Sequence, residues 1–382
     1  MKYIIEVQKI CELNDIENLG KFEHLGYINK ICNYMKDIKK GDNVIGIKGE
    51  PIKVLEVFPQ GLKSIYKIHF SDGSCTECCD EHLWEVQKYT GKKSKTQVLQ
   101  LSEIRSNYLT KRGDSIFYVK VAEPVKYPEK ELPLDPYMIG YWLGDGTSRG
   151  SSITTQESCV LHYFRKHLPV YNLYLSKLKS NYSYGITGDG KYGGNSFLTT
   201  LKKLDLINNK HIPYMYKCNS RQIRLKLLAG ILDADGHYGS GGFELTQSYE
   251  KENLINDIVY LVRSLGFSCY KNLKNTSWIY KGERKYSKAW RLMIYGNGIE
   301  EIPTVCKRKR AKSRKQIKDP LVTGISVKYV GRDDYYGFTL DGNGRFVLEN
   351  FMITHNTSTI LSVACQLFGS KNIDLKKYFL TK

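Results

Sequence analysis

The sequence predicts an all-β domain assembled from both ends of the chain, with a duplicated α+β unit inserted between them. Three observations predict it. Residues 36–87 and 321–356 alternate short β-rich runs with turn signals. Residues 135–300 instead carry helix-length stretches, and the order helix, strands, helix occurs twice. Two of those helices end in matching Asp-Gly motifs about 90 residues apart.

In the front segment the turns fall at Lys40-Gly41-Asp42, Lys48-Gly49-Glu50-Pro51 and Ser71-Asp72-Gly73-Ser74, which makes 36–87 a set of hairpins. Residues 88–130 are looser, and the basic stretch Gly91-Lys92-Lys93-Ser94-Lys95 reads as a linker or a DNA-facing excursion. Helices are expected at Pro136–Leu143, Ser196–Leu206, Arg221–Asp233 and Lys251–Leu265. Between them lie β-like runs such as Leu173-Tyr174-Leu175 and Gly242-Phe243-Glu244-Leu245. The basic run 307–318, KRKRAKSRKQIK, reads as a linker with incidental DNA contact rather than a localisation signal. Residues 321–356 turn β again, and 357–382 resume as an amphipathic helix with a polar end. The expected division is 1–110 front β part with linker, 111–310 inserted unit, 311–356 rear β part and 357–382 a separate segment.

A chain of 382 residues has room for two or three domains. Its apolar content, 41%, is that of a globular protein, and it has no apolar run of about 18 residues that would span a membrane. The start MKYIIEVQKICELND lacks the zones of a signal peptide, so an intracellular location is expected. Lys and Arg number 58 against 39 Asp and Glu, and the resulting +19 favours a polyanionic partner such as nucleic acid. Tyr outnumbers Phe, 29 to 13, and Tyr suits a DNA-facing sheet because its ring packs while its hydroxyl reaches phosphate. An AT-rich genome would also enrich Lys, Asn, Ile and Tyr, so composition alone does not decide.

The two motifs carry the chemistry. Ile139-Gly140-Tyr141-Trp142-Leu143-Gly144-Asp145-Gly146 matches Leu228-Ala229-Gly230-Ile231-Leu232-Asp233-Ala234-Asp235-Gly236. Each has small residues four apart, Gly140 with Gly144 and Gly230 with Ala234, which lie on one helix face and let two backbones approach. Packed together, the helices would set Asp145 beside Asp235. Such carboxylates repel unless a divalent cation lies between them, and that ion can activate water against a phosphodiester. The competing reading is an ordinary helix ending in an Asp-Gly C-cap. The second motif resembles the LAGLIDADG homing endonucleases with one swap of neighbours, Ile231-Leu232, and the first resembles their degenerate copy. Asn209-Lys210-His211-Ile212-Pro213 resembles the family's K-x-I-P block, with Lys210 at its lysine, and Ser264-Leu265-Gly266-Phe267 resembles the segment closing the second half. The resemblance implies a site-specific, Mg²⁺-dependent endonuclease acting on double-stranded DNA. Asp145 and Asp235 would hold the metal, Lys210 would stabilise charge or polarise water, and a monomer with an internal pseudo-two-fold would cut both strands.

The β flanks resemble the two halves of an intein splicing domain, the Hint fold. The tail, from Tyr336-Gly337-Phe338 to Ile353-Thr354-His355-Asn356-Thr357, is similar to the intein C-terminal blocks. There the Asn356 side-chain amide would attack its own carbonyl and break the bond to Thr357, assisted by His355. The Thr357 hydroxyl would accept the upstream acyl group. At the front, Asp37–Gly46 resembles the early strand, and Thr76-Glu77-Cys78-Cys79-Asp80-Glu81-His82-Leu83-Trp84 resembles the block whose histidine activates the first junction, giving His82 that role. The same cluster also reads as zinc ligands, Cys75, Cys78 and His82. Cys11 is the candidate upstream nucleophile at tolerable spacing, which would leave MKYIIEVQKI as host sequence; the alternatives are a displaced first junction or a start outside this chain.

Residues 357–369, TSTILSVACQLFG, resemble the helix after a Walker A loop as in replication factor C small subunits, which would make Thr357 that ATPase's Mg²⁺-binding threonine. The combined reading is a homing endonuclease inside an intein that splices, or cleaves at Asn356–Thr357. The alternative is a splicing-only or DNA-binding relic whose nuclease is inactive.

Overall fold

The fold follows from how glycine and aspartate punctuate the strands. Gly41, Gly49 and Gly73 have φ of +91°, +76° and +88°, a left-handed backbone in which a side chain is strained. In the third turn Asp72 Oδ1 accepts from Ser74 N (2.9 Å) and Ser74 Oγ (2.7 Å), so the aspartate replaces the backbone partners that the bend removes. The computed structural model describes residues 6–8, 32–34, 38–90, 93–188, 194–313, 316, 319–342 and 344–355. Cys11, Asn356, Thr357 and the segment 357–382 lie outside the described residues.

One antiparallel sheet combines strands from both ends. Its order is Arg345–Val347, Ile353–His355, Leu83–Thr90, Phe117–Lys120, Val322–Leu340, Pro51–Phe70 and Asn43–Ile45. Cys75–Cys79 joins on Pro51–Phe70, and Lys93–Gln100 joins on Leu83–Thr90. The two long strands, Pro51–Phe70 and Val322–Leu340, pair along almost their whole lengths. Register shifts at Tyr329/Gly331, Tyr335/Tyr336 and Thr339/Leu340 interrupt the pairing, and such bulges let a long ribbon twist and bend. A core of Val44, Trp84, Val86, Val119, Phe338, Phe346 and Val347 packs within this unit, each 1% exposed or less.

The stretch expected to be a linker is structured. Phe117–Lys120 pairs with both Leu83–Thr90 and Val322–Leu340, and Val121, Ala122 and Val125 are buried in the same core. Residues 117–125 thus add to the core of this sheet.

The inserted unit repeats itself. Helix Pro136–Asp145, strand Ser152–Thr154, helix Ser158–His167 and strands Leu173–Lys177 and Ser183–Gly188 make the first half, closed by helix Ser196–Lys203. Helix Arg221–Asp235, strands Gly236–Gly239 and Gly242–Ser248, helix Glu252–Ser264 and strands Ser268–Tyr280 and Glu283–Tyr295 make the second. Each half has its own antiparallel sheet, of three and four strands. The expected helices appear within a few residues of their predicted ends; helix Ser158–His167 was not among them.

The two units meet through buried polar contacts. Asp72 Oδ2 and Arg263 Nη2 lie 2.7 Å apart with both side chains under 10% exposed. Arg224, fully buried, donates to Asn219 O (2.8 Å), Ser264 O (2.6 Å), Ser264 Oγ (2.7 Å) and Val125 O (2.5 Å). Four bonding atoms from three segments satisfy a guanidinium that would otherwise be costly to bury. Among the described residues no helix is long and apolar enough to cross a membrane.

Candidate functional sites

Close approach of the two motif helices, Pro136–Asp145 and Arg221–Asp235, depends on absent side chains. A Cβ at Gly140 would lie 2.1 Å from Leu227 O, and one at Gly230 would lie 2.2 Å from Tyr137 O. The glycine after each aspartate is also required by space. Gly146 and Gly236 have extended backbones (φ −82° and −84°), not the left-handed C-cap that an ordinary Asp-Gly helix end would use. A Cβ there would meet Trp142 Cδ1 at 2.3 Å and Leu232 O at 2.7 Å.

This packing brings the acidic ends together. Asp235 Oδ2 sits 2.7 Å from where a Gly144 Cβ would be, directly over the residue that precedes Asp145. Burial is the main reason the Asp145 carboxyl is pushed up, with Lys309, Lys210 and Lys251 pulling the other way. Asp235 is pushed up to about 6, by burial first and then by the charge of Asp145. A half-buried carboxylate raised by its neighbour's charge, as Asp235 is by Asp145, is the arrangement a divalent cation relieves. Asp145 Oδ2 accepts from Tyr141 Oη (3.4 Å). Asp235 Oδ2 accepts a short bond from Gln247 Nε2, and Gln247 Oε1 accepts from Lys251 Nζ (3.0 Å).

Lys210 reaches the end of the first motif helix, where its Nζ donates to Trp142 O (2.9 Å), Gly146 O (2.7 Å) and Gly144 O (3.4 Å). A cation there answers the negative end of the helix dipole. Burial, then the neighbouring Lys251, lowers Lys210 to about 8. Lys309 repeats this on the second motif helix, donating to Leu232 O (3.0 Å), Asp233 O (2.7 Å) and Ala234 O (3.2 Å). Sequence reasoning missed Lys309 and placed it in a linker with incidental DNA contact. It is 4% exposed, yet by residue type it cannot be told from Lys307, Arg308 and Arg310 around it. It also missed Asp233, whose Oδ2 accepts from Tyr137 Oη (2.9 Å) and Val305 N (2.6 Å) and so pins the Lys309 segment to the helix.

In the β unit, His82 is buried and held from both sides. Its Nε2 lies 2.5 Å from Thr354 Oγ1 and its Nδ1 lies 2.9 Å from Tyr335 Oη. Burial, followed by the His355 charge, lowers it to about 3, so the ring is neutral at ordinary pH. Thr354 and Tyr335 had no sequence-level signal. With both nitrogens engaged, His82 is not a zinc ligand. Cys75 and Cys78, three apart on strand Cys75–Cys79, also face opposite sides, one exposed and one buried. His355 lies opposite Leu83 on the strand between Arg345–Val347 and Leu83–Thr90, which sets the two predicted histidine blocks side by side. Burial and then Arg345 lower its pKa, while Glu85 raises it.

No family model matches the chain. It is similar to the replicative DNA helicase DnaB of Mycobacterium intracellulare, with 25% identity over 62% of this chain and 41% of that protein. It is also similar to the homothallic switching endonuclease of Saccharomyces cerevisiae, with 24% identity over 56% of this chain and 42% of that protein. The chain thus spans about two-fifths of the length of these relatives. Among solved structures it overlaps the gp41-1 intein (25% identity, 26% of this chain, 57% of that one, TM-score 0.18). It also overlaps variants of the homing endonuclease I-DmoI (12% identity, 42% of this chain, 88% of that one, TM-score 0.26). In sequence and in its solved-structure overlaps the chain is thus similar both to an intein and to proteins described as endonucleases.

Proposed function

We propose that the inserted unit is a site-specific endonuclease that cuts both strands of a DNA duplex at Asp145 and Asp235. The observation that carries this reading is the seating of Asp235 over Gly144, with each carboxylate at a helix end that a half-buried or buried lysine also contacts. A divalent cation such as Mg²⁺ held by the two carboxylates would activate the attacking water and offset charge on the scissile phosphate. Asp145 and Asp235 would hold the ion. Lys210 and Lys309, fixed by three carbonyls each, would keep positive charge beside the phosphates. Gln247 orients the Asp235 carboxylate, and Lys251 orients Gln247. The repeated half fits a monomer with an internal pseudo-two-fold, one carboxylate from each half.

The duplex would lie on the sheets. The hairpin Ser268–Tyr280/Glu283–Tyr295 exposes Trp278, Tyr280 and Tyr286 among Lys274, Lys281, Arg284 and Lys288, a mixture that suits sugar–phosphate and base contact.

The β unit is read as a Hint-type splicing domain. Neutral His82, gripped by Thr354 and Tyr335, can accept or donate a proton at the upstream junction, for which Cys11 is the proposed nucleophile. At the downstream junction the Asn356 amide nitrogen attacks the Asn356 carbonyl carbon, the bond to Thr357 breaks, and the released Thr357 nitrogen takes up a proton. His355 assists that transfer; before this cleavage the Thr357 hydroxyl takes the upstream acyl group from the Cys11 sulfur, which leaves as the thiol.

The test is to incubate the full chain and Asp145→Asn/Asp235→Asn with Mg²⁺ and plasmid carrying the rejoined host coding sequence, reading DNA ends and protein size from the same tubes. Wild-type-only double-strand cuts support the nuclease. Protein shortened at Asn356 with intact DNA would leave a splicing domain carrying an inactive nuclease.

A further inference from the structure

Away from both sites, three metal-ligating side chains converge where the first half of the inserted unit meets the Lys309 segment. Cys159 Sγ lies 3.2 Å from Cys306 Sγ, although 147 residues separate them. Glu157 joins them, with one ligand atom from each residue within 4.8 Å of the others. Cys306 is buried, while Glu157 and Cys159 are half-buried, so the cluster has a route to solvent. Glu157 and Cys159 flank the first residue of helix Ser158–His167, and a short helical turn fixes both.

We propose that Glu157, Cys159 and Cys306 form a site for a thiophilic divalent cation of the zinc class, completed by water. Two thiolates and a carboxylate are a donor set that such an ion takes in tetrahedral geometry. With metal–sulfur bonds of about 2.3 Å, tetrahedral geometry puts two sulfurs about 3.8 Å apart, so the pair need open by only about half an ångström. The electrostatics fit as well. Three anionic ligands around a dication leave one negative charge, and Arg308 is in place to balance it. Its Nε and Nη2 both bond Glu157 Oε1, at 3.0 and 2.5 Å, which would leave Oε2 for the ion. The competing fate of two close thiols is a disulfide. The carboxylate beside them, with its guanidinium, is needed for a metal and has no part in a disulfide.

Such an ion would tie helix Ser158–His167 to the residues just before Lys309, and so brace the lysine that caps the second motif helix. The inference does not rest on the nuclease reading, because binding is read from the metal itself.

The experiment titrates Co²⁺, then Zn²⁺, into the reduced full chain and into Cys159→Ser, Cys306→Ser and Glu157→Gln. We expect one cobalt equivalent with sulfur-to-cobalt charge transfer that either serine variant loses and Zn²⁺ displaces. Glu157→Gln should weaken that equivalent by about tenfold. Should buried Cys306→Ser fail to fold, Cys159→Ser and Glu157→Gln carry the test, with circular dichroism as the folding check. Equal cobalt stoichiometry and spectra in wild type and variants would overturn the site. A Cys159–Cys306 disulfide in peptide maps, with no cobalt equivalent lost in the variants, would overturn it in favour of an oxidised pair.

Discussion

Lys309 does for the second motif helix what Lys210 does for the first: each buries its ammonium against the last carbonyls of its helix, with shortest contacts of 2.7 Å to Asp233 O and Gly146 O. Two lysines so placed flank the Asp145–Asp235 pair. Lys309→Met should therefore cost DNA cleavage as much as Lys210→Met, about tenfold to a thousandfold in rate. Lys307→Met, in the same basic run, should change cleavage little. A rate series on one DNA substrate checks this, and equal effects at 307 and 309 would reduce Lys309 to general basicity.

The helix seam predicts a sharp steric ranking. Gly140→Ala and Gly230→Ala would force a Cβ to within 2.1 and 2.2 Å of backbone oxygens, so the helices must separate. A loss of about 2–4 kcal/mol in denaturant unfolding is expected for each. Gly150→Ala, which meets nothing within 4 Å, should stay within about 0.5 kcal/mol of wild type.

The joint between the units predicts a charge dependence. Asp72→Asn removes one partner of the ion pair with Arg263 and leaves a buried guanidinium underpaired. That should cost about 3–5 kcal/mol. Arg263→Met/Asp72→Leu, which removes both charges, should recover much of it. Chemical denaturation of the single and double variants decides.

His82 predicts a pH dependence of the β unit. Its folded pKa is lowered to about 3 by burial, against about 6.5 in an unfolded chain. Above pH 6.5 both states are neutral and the group contributes no slope. Between pH 6.5 and 3 the unfolded state binds a proton that the folded state refuses, so stability falls as pH falls, by up to about 1.4 kcal/mol per unit. His82→Gln should flatten that slope in urea midpoints measured from pH 7 to 4, and an unchanged slope would refute the assignment.

The sequence made the motif helices, the front turns and the doubled α+β order legible because each is local: a glycine spacing, a turn signal, a periodicity. The placing of Asp145, Asp235 and Lys210 at one end of the motif helices, and of the His82 and His355 blocks side by side, was legible through motif position. What escaped it is long-range. Strand Phe117–Lys120 lies in a segment that reads as linker, and its strand character comes from two partners far apart in the chain. Lys309 is one basic residue among several, and only its burial against Leu232–Ala234 distinguishes it. Thr354 and Tyr335 matter because the fold brings them to His82 from 272 and 253 residues away. No pattern within a short window contains such pairings.

The central claim is that Asp145 and Asp235 act as one metal-holding pair. The most direct test is Mg²⁺-dependent cleavage of the rejoined host coding sequence by wild type, Asp145→Asn and Asp235→Asn, with binding of the same DNA measured in parallel. The account predicts double-strand cuts at one site by wild type, loss of double-strand cutting in either single variant, and DNA binding within a few-fold throughout. Undiminished double-strand cutting by either variant would contradict it.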